Sequence, residues 1–150
     1  MAVHIRRATK ADLTSVGALL DNYYTEWDIW QRDPPEMILT YIQYPQLGFL
    51  LAEVDAKAAG CVLLRPLPSI PNAVECKRLF VAPEFRGQRL AALLMDAAEN
   101  AAREAGSQWV YLDSKAEFTT AIALYRRRGY QEIDRFNDNE QATIFMRKSL

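Results

Sequence analysis

The run Lys77–Met95, KRLFVAPEFRGQRLAALLM, limits what this chain can fold into more than any other stretch. Lys77 to Val81 is apolar and β-branched enough for a buried strand. Pro83 ends that strand, because its nitrogen has no hydrogen to give a sheet ladder. Gly87 permits a tight turn where a side chain would clash. From Leu90 onward the apolar residues fall at Leu90, Leu93, Leu94, Ala97, Ala98 and Ala101, which is one face of a helix. The first turn of such a helix carries free N–H groups and the positive end of the helix dipole. Arg86 and Arg89 flank it, so the unit is physically suited to phosphate.

A second segment is linked to the first. It reads Ala121-Ile-Ala-Leu-Tyr125-Arg-Arg-Arg-Gly129-Tyr130. Together the two resemble the GNAT family of N-acetyltransferases, whose acetyl-CoA loop reads Arg/Gln-x-x-Gly-x-Gly/Ala. The late helix of that family reads Ala-x-x-Leu-Tyr-x-x-x-Gly-Phe/Tyr. Arg86 matches the first loop position and Ala91 the last, while Arg89 stands where the middle glycine would be. The resemblance runs along the whole chain. It implies one acetyltransferase domain over residues 1–150, with an α/β (α+β) fold. The sheet is expected to be mixed and mostly antiparallel, with about four helices flanking it. It should splay where the central strand meets the Trp109 strand, and the cofactor should lie there.

The rest of the chain reads in the same order. A strand is predicted over Val3–Arg7, then a helix from Lys10 to Tyr23 capped by Thr9. Pro34 and Pro35 open a second helix reaching Tyr44, and Pro45 stops it. Strands follow over Phe49–Val54 and Ala59–Arg65, with Asp55 to Ala58 as the hairpin turn. After a proline-rich loop, the central strand spans Ala73–Val81 and the signature helix runs to Ala105. Trp109–Asp113, a helix over Phe118–Arg128, and strands over Tyr130–Asp134 and Ala142–Lys148 complete the pattern.

Composition narrows the function. The chain has 150 residues, half hydrophobic and 25% charged, which suits one globular domain. A net charge of −1 gives no general attraction to nucleic acid or to an anionic membrane. Arg126, Arg127 and Arg128 read as a solvated helix face whose cations favour the C-terminal dipole. Cys61 and Cys76 sit in predicted strands and read as buried free thiols of a reducing cytoplasm. No signal peptide or membrane span is visible, so a cytoplasmic location is expected. His4, the single histidine, reads as structural. No histidine, cysteine and carboxylate cluster has metal-ligand spacing, so no metal is expected.

The remaining site expectations follow from the resemblance. Acetyl-CoA would be the cosubstrate, and a primary amine the acceptor, a small molecule or amino acid in preference to a protein. Glu75, just upstream of the signature, takes the place of the family's base, and Tyr125 that of the acid at the cofactor sulfur. Leu79, Phe80 and Val81 would bind pantetheine through the strand backbone, and Arg86, Gly87, Gln88, Arg89, Leu90 and Ala91 the pyrophosphate. Phe118 stands where the family often has an asparagine. Acceptor candidates are Tyr23, Tyr24, Glu26, Trp27, Asp28, Trp30 and Asp33, with Tyr24, Trp27 and Trp30 foremost, since aromatics among carboxylates suit a cation. The Phe136-Asn-Asp-Asn139 run is similar to a small-molecule subgroup, and a homodimer is compatible with the family. Two other readings compete. One keeps the fold and coenzyme A binding without transfer. The other is an unrelated nucleotide-binding domain, although neither Gly-Lys-Ser/Thr nor a full Gly-x-Gly-x-x-Gly is present.

Overall fold

The strands are β1 (Val3–Arg7), β2 (Gly48–Val54), β3 (Lys57–Pro66), β4 (Ala73–Val81), β5 (Trp109–Ser114), β6 (Gln131–Ile133) and β7 (Ile144–Ser149). In the computed structural model, which describes residues 2–150, they form one seven-stranded sheet ordered β1-β2-β3-β4-β5-β7-β6. Every neighbouring pair is antiparallel except β4 with β5. The α-helices among the described residues are α1 (Leu13–Trp27), α2 (Pro35–Ile42), α3 (Leu90–Glu104) and α4 (Thr119–Arg127).

The sheet separates two apolar layers. On one side Leu20 and Tyr24 of α1 and Ile38 of α2 pack with Phe49, Leu51, Leu63 and Phe80. On the other, Leu94, Met95 and Ala98 of α3 and Tyr125 of α4 pack with Val62, Leu64, Val74 and Met146. Strands β2 and β3 are covered on both faces, which is why they read as continuous apolar runs instead of alternating ones.

Several boundaries differ from the sequence reading, α2 for example ending at Ile42 and not at Tyr44. Lys10–Asp12 forms a 3-10 turn, with the Thr9 N–H donating to Asp12 at 2.7 Å, and α1 proper begins at Leu13. The helix continues past Tyr23 because Tyr24 extends the buried stripe of Val16, Leu19 and Leu20; it stops at Asp28, which is left-handed (φ 52°). Strand β6 ends at Ile133 and β7 starts only at Ile144. Between them Arg135 donates to the carbonyls of Asn137, Asn139 and Ala142, drawing that backbone into a loop.

The feature that shapes the site is the parting of β4 from β5. They pair only at Ala73–Glu75 with Trp109–Tyr111. Beyond that β4 keeps β3 alone, and its register shifts: Lys77 faces Leu63, but Phe80 faces Cys61. Three steps on β4 therefore match two on β3, a bulge, with Arg78 at φ 60°. A bulge bends its strand and adds twist, which carries β4 away from β5. Gly60 pairs with Val81, one step beyond the bulge. A Cβ there would lie 2.7 Å from the Phe80 carbonyl oxygen, so only glycine admits this approach.

Candidate active site

The parting strands open a cleft of about 720 Å³ that runs from the start of α3 past α4 to α1. Its wall includes Leu79, Phe80, Val81, Arg86, Gly87, Arg89, Leu90, Ala91 and Tyr125, all singled out in the sequence. Gln88 does not line it, and its amide oxygen is buried without a hydrogen-bond partner.

At the α3 end the chemistry is cationic. Gly87 (φ 84°) and Arg89 (φ 63°) are both left-handed, so the loop turns tightly onto the helix. Arg89 occupies the N-cap position and its side chain is exposed. The fifteen-residue helix α3 directs its free N–H groups at the same place, a fit for a diphosphate. Arg86 folds back over the Phe80 ring. Its Nε donates to the Val81 carbonyl at 2.9 Å and its Nη2 to Glu26 of α1 at 2.6 Å. The arginine run on α4 is not one solvated face. Arg126 is exposed, Arg127 and Arg128 reach the cleft wall, and Arg128 also donates to the buried Glu99.

The other end gathers acids, cations and phenols. The Tyr125 hydroxyl has no hydrogen-bond partner among the described residues, and burial pushes its pKa well above 10. Glu75 is only 2% exposed and is absent from the cleft wall. It accepts from Arg65 Nε at 2.8 Å and Asn137 Nδ2 at 3.0 Å, with Lys77 Nζ at 3.7 Å. Lys77 and Asp113 do line the cleft, 3.0 Å apart, and Asn137 also donates to Asp113 at 2.6 Å. Burial pushes the Asp113 carboxyl up, but Lys77, Asn137 and Asn139 outweigh it and hold the pKa below the ordinary value.

The acceptor candidates separate. Trp27 lines the cleft and packs on Phe118, ring centroids 4.3 Å apart. Tyr23 lines it as well. Tyr24 does not: it is 1% exposed in the α1 core, its hydroxyl donating to Asp33 at 2.8 Å, and Asp33 also holds Arg78. Trp30 is 67% exposed and off the wall; its N–H donates to Gln141, whose side-chain amide reaches back to the Asp28 carbonyl. Asp113 was not singled out in the sequence, Lys77 was seen only as part of the strand and a cation near Glu75, and Asn137 only as part of the Phe136–Asn139 run. Charges at the ends of apolar strands were the available signal. Burial raises both cysteine thiols to about 12 and leaves them unreactive. His4 is exposed on β1, away from the cleft.

A sheet split at a bulge, with a helix N-terminus feeding the gap, is the arrangement that the resemblance to acetyl-CoA-dependent acyltransferases implies. Known proteins agree. Residues 15–130 match the acetyltransferase (GNAT) family, and the chain belongs to it. An IAA acetyltransferase of Azospirillum brasilense is 31% identical over 134 residues, covering 87% of this chain and 86% of that protein. An aminoalkylphosphonate N-acetyltransferase of Salmonella typhimurium is 27% identical, covering 85% and 84%. A shorter stretch of 78 residues, 51% of this chain, is 37% identical to 36% of an uncharacterized N-acetyltransferase from Dictyostelium discoideum. The fold matches the PaiA N-acetyltransferase of Thermoplasma acidophilum, solved with coenzyme A, at a TM-score of 0.82 and 19% identity over the full length of both chains. No helix among the described residues is long and apolar enough to cross a membrane.

Proposed function

We propose that the protein moves the acetyl group of acetyl-CoA to a primary amine, a small molecule or amino acid in preference to a protein, by direct attack in a ternary complex. The observation that carries this is one cleft joining the N-terminus of α3 to Tyr125 and to the Lys77–Asp113 pair. The amide groups of Arg86 to Ala91 would hold the pyrophosphate. The β4 edge over Leu79–Val81, which has lost β5, would pair with the amides of pantetheine as a strand does. The acceptor loses its ammonium proton to water and its nitrogen bonds to the thioester carbon; the C–S bond breaks, the departing sulfur takes the Tyr125 hydroxyl proton, and the proton shed by the new amide nitrogen restores the phenol. Burial keeps that hydroxyl protonated until it is needed. Glu75 stands behind Lys77 and fixes it against Asp113 at the cleft wall, a positioning role. Trp27 forms the acceptor wall. A relative named as an aminoalkylphosphonate N-acetyltransferase supports this choice.

Calorimetric titration with acetyl-CoA tests the reading, with ATP and NAD as controls. Micromolar binding (about −8 kcal/mol) specific to acetyl-CoA is the expected result, followed by thiol release with a primary amine. A folded protein that gives no heat with acetyl-CoA removes the proposal. Glu75→Gln is expected to lower kcat about tenfold and shift its pH profile, with acetyl-CoA affinity unchanged. Unaltered turnover and profile would deny Glu75 its role.

A further inference from the structure

One carbonyl on the free edge of β4 is covered by a side chain of this same chain. The Ala82 N–H donates to the Ala59 carbonyl beside β3 at 2.8 Å. The C=O and N–H of one peptide unit point opposite ways, so the Val81 carbonyl, in that same unit, faces away from β3 toward the gap left by β5. It accepts from Arg86 Nε at 2.9 Å. Among the described residues no other side chain hydrogen-bonds the backbone of Leu79–Val81. We infer that the Arg86 side chain is a latch on the cofactor edge: pinned by Glu26 of α1, it occupies the Val81 carbonyl and is displaced when pantetheine pairs with β4. The inference rests on the acetyl-CoA reading above.

The local sequence builds the latch. Pro83–Phe85 is a 3-10 turn, the Phe85 N–H donating to the Ala82 carbonyl at 2.9 Å and the Arg86 N–H to the Pro83 carbonyl at 3.3 Å. A turn this tight folds the chain back, so a side chain five residues past Val81 returns to it. The guanidinium carbon lies 5.6 Å from the centre of the Phe80 ring, and Nη2 donates to Glu26 at 2.6 Å. A strand carbonyl, a ring face and a carboxylate therefore hold one group.

These contacts are of a kind that a ligand can break. The Arg86 and Glu26 side chains are 44% and 30% exposed, and an ion pair so open to water is weak. Its effect is on population: a ligand that needs the uncovered edge binds less tightly in proportion to the fraction of molecules that present it. Glu26 also stands on α1 between Tyr23 and Trp27, which line the cleft. The latch thus ties the cofactor edge to the helix that carries the acceptor wall.

The probe is pantetheine, which has the amides that would pair with β4 and no charged group. Neither the charge of Glu26 nor any diphosphate contact of Arg86 enters its binding. Ligand-observed NMR titrations of full-length protein compare wild type, Glu26→Ala, Arg86→Ala and the double variant. Arg86→Ala is expected to bind pantetheine about threefold or more tightly than wild type, the size of one hydrogen bond, and Glu26→Ala about twofold, the size of an exposed ion pair. The double variant should gain no more than Arg86→Ala alone, because Glu26 acts through Arg86. A melt accompanies each variant; should Arg86→Ala not fold, Glu26→Ala decides. Affinity unchanged or weakened in a folded single variant, or gains that add in the double variant, overturns the inference. Wild type that takes up neither pantetheine nor coenzyme A would instead sink the acetyl-transfer reading beneath it.

Discussion

Arg89 pays for the signature loop in backbone strain. Its left-handed φ of 63° is a conformation that costs an L-residue about 1–2 kcal/mol and glycine almost nothing. The family motif has glycine at that position, and the geometry shows why. Arg89 is tolerated because its side chain is exposed while its place in the turn is kept. Arg89→Gly is therefore expected to be about 1 kcal/mol more stable than Arg89→Ala, read from urea midpoints at equal slope. Identical midpoints would mean that the turn carries no strain. At the opposite end of the cleft, Tyr125→Phe keeps the buried ring and removes one hydroxyl. A fall in kcat of about tenfold or more, with acetyl-CoA affinity unchanged, is the expected signature of a proton donor. Equal losses in affinity would mean that it only positions the cofactor.

Among the elements, β4 decides whether there is a site at all. Its bulge is possible because Gly60 on β3 lets the Phe80 carbonyl come close. Gly60→Ala would force that carbonyl outward, with an expected cost of about 1–3 kcal/mol as in other overpacked sites. The displaced edge is the one that would hold pantetheine, so acetyl-CoA affinity should fall as well. A variant that loses stability but binds acetyl-CoA like wild type would separate the bulge from the cofactor. The parting of the strands also explains the burial pattern of β5. Its pairing with β4 ends at Tyr111, and Asp113 and Ser114 line the gap, Asp113 half-buried and Ser114 buried.

Across the whole molecule, one buried carboxylate ties the second helical layer to the sheet. Glu99 of α3 accepts from Arg128 beyond α4 at 3.0 Å, from Lys148 of β7 at 2.7 Å and from the Tyr130 hydroxyl at 3.0 Å. Glu99→Gln leaves two cations facing a neutral group, with an expected loss of about 3 kcal/mol. Burial pushes the Glu99 pKa up, but Arg128 and Lys148 outweigh it and the net shift is downward. A lowered folded pKa means that the unfolded chain binds the proton first as pH falls. The contribution is complete above the ordinary carboxylate pKa and is lost as pH drops through the lowered value. Melting curves of wild type and Glu99→Gln should converge on acidification from pH 7 (neutral, ~7) toward about 3. A gap that stays constant would show that the pairing is not electrostatic. Acetyl-CoA at a hundred times its Kd should add about 2.7 kcal/mol, raising Tm by about 5–10 °C for a chain of this size.

The local signals were legible because their causes are local. Pro83, Gly87 and the spacing from Leu90 to Ala101 place the strand, loop and helix without reference to the rest of the chain. The Leu124-Tyr125 pair likewise sits on α4 as its motif predicts, and Pro35 opens α2. Partners distant in sequence were not legible. Asn137 reaches Glu75 across 62 residues and binds Asp113 in the same stroke, an arrangement that needs β4, β5 and the β6–β7 loop assembled first. The same holds for Arg128, whose surroundings turn a helix-end cation into a buried partner of Glu99. Tyr23 and Tyr24 are neighbours of one residue type, yet one faces the cleft and the other the core. Sequence by itself determined the elements, their order and the family, since propensity, spacing and turn chemistry act over a few residues. Only the tertiary structure decided which charges meet and which phenols are left free, because burial and Coulomb interactions depend on distance in space.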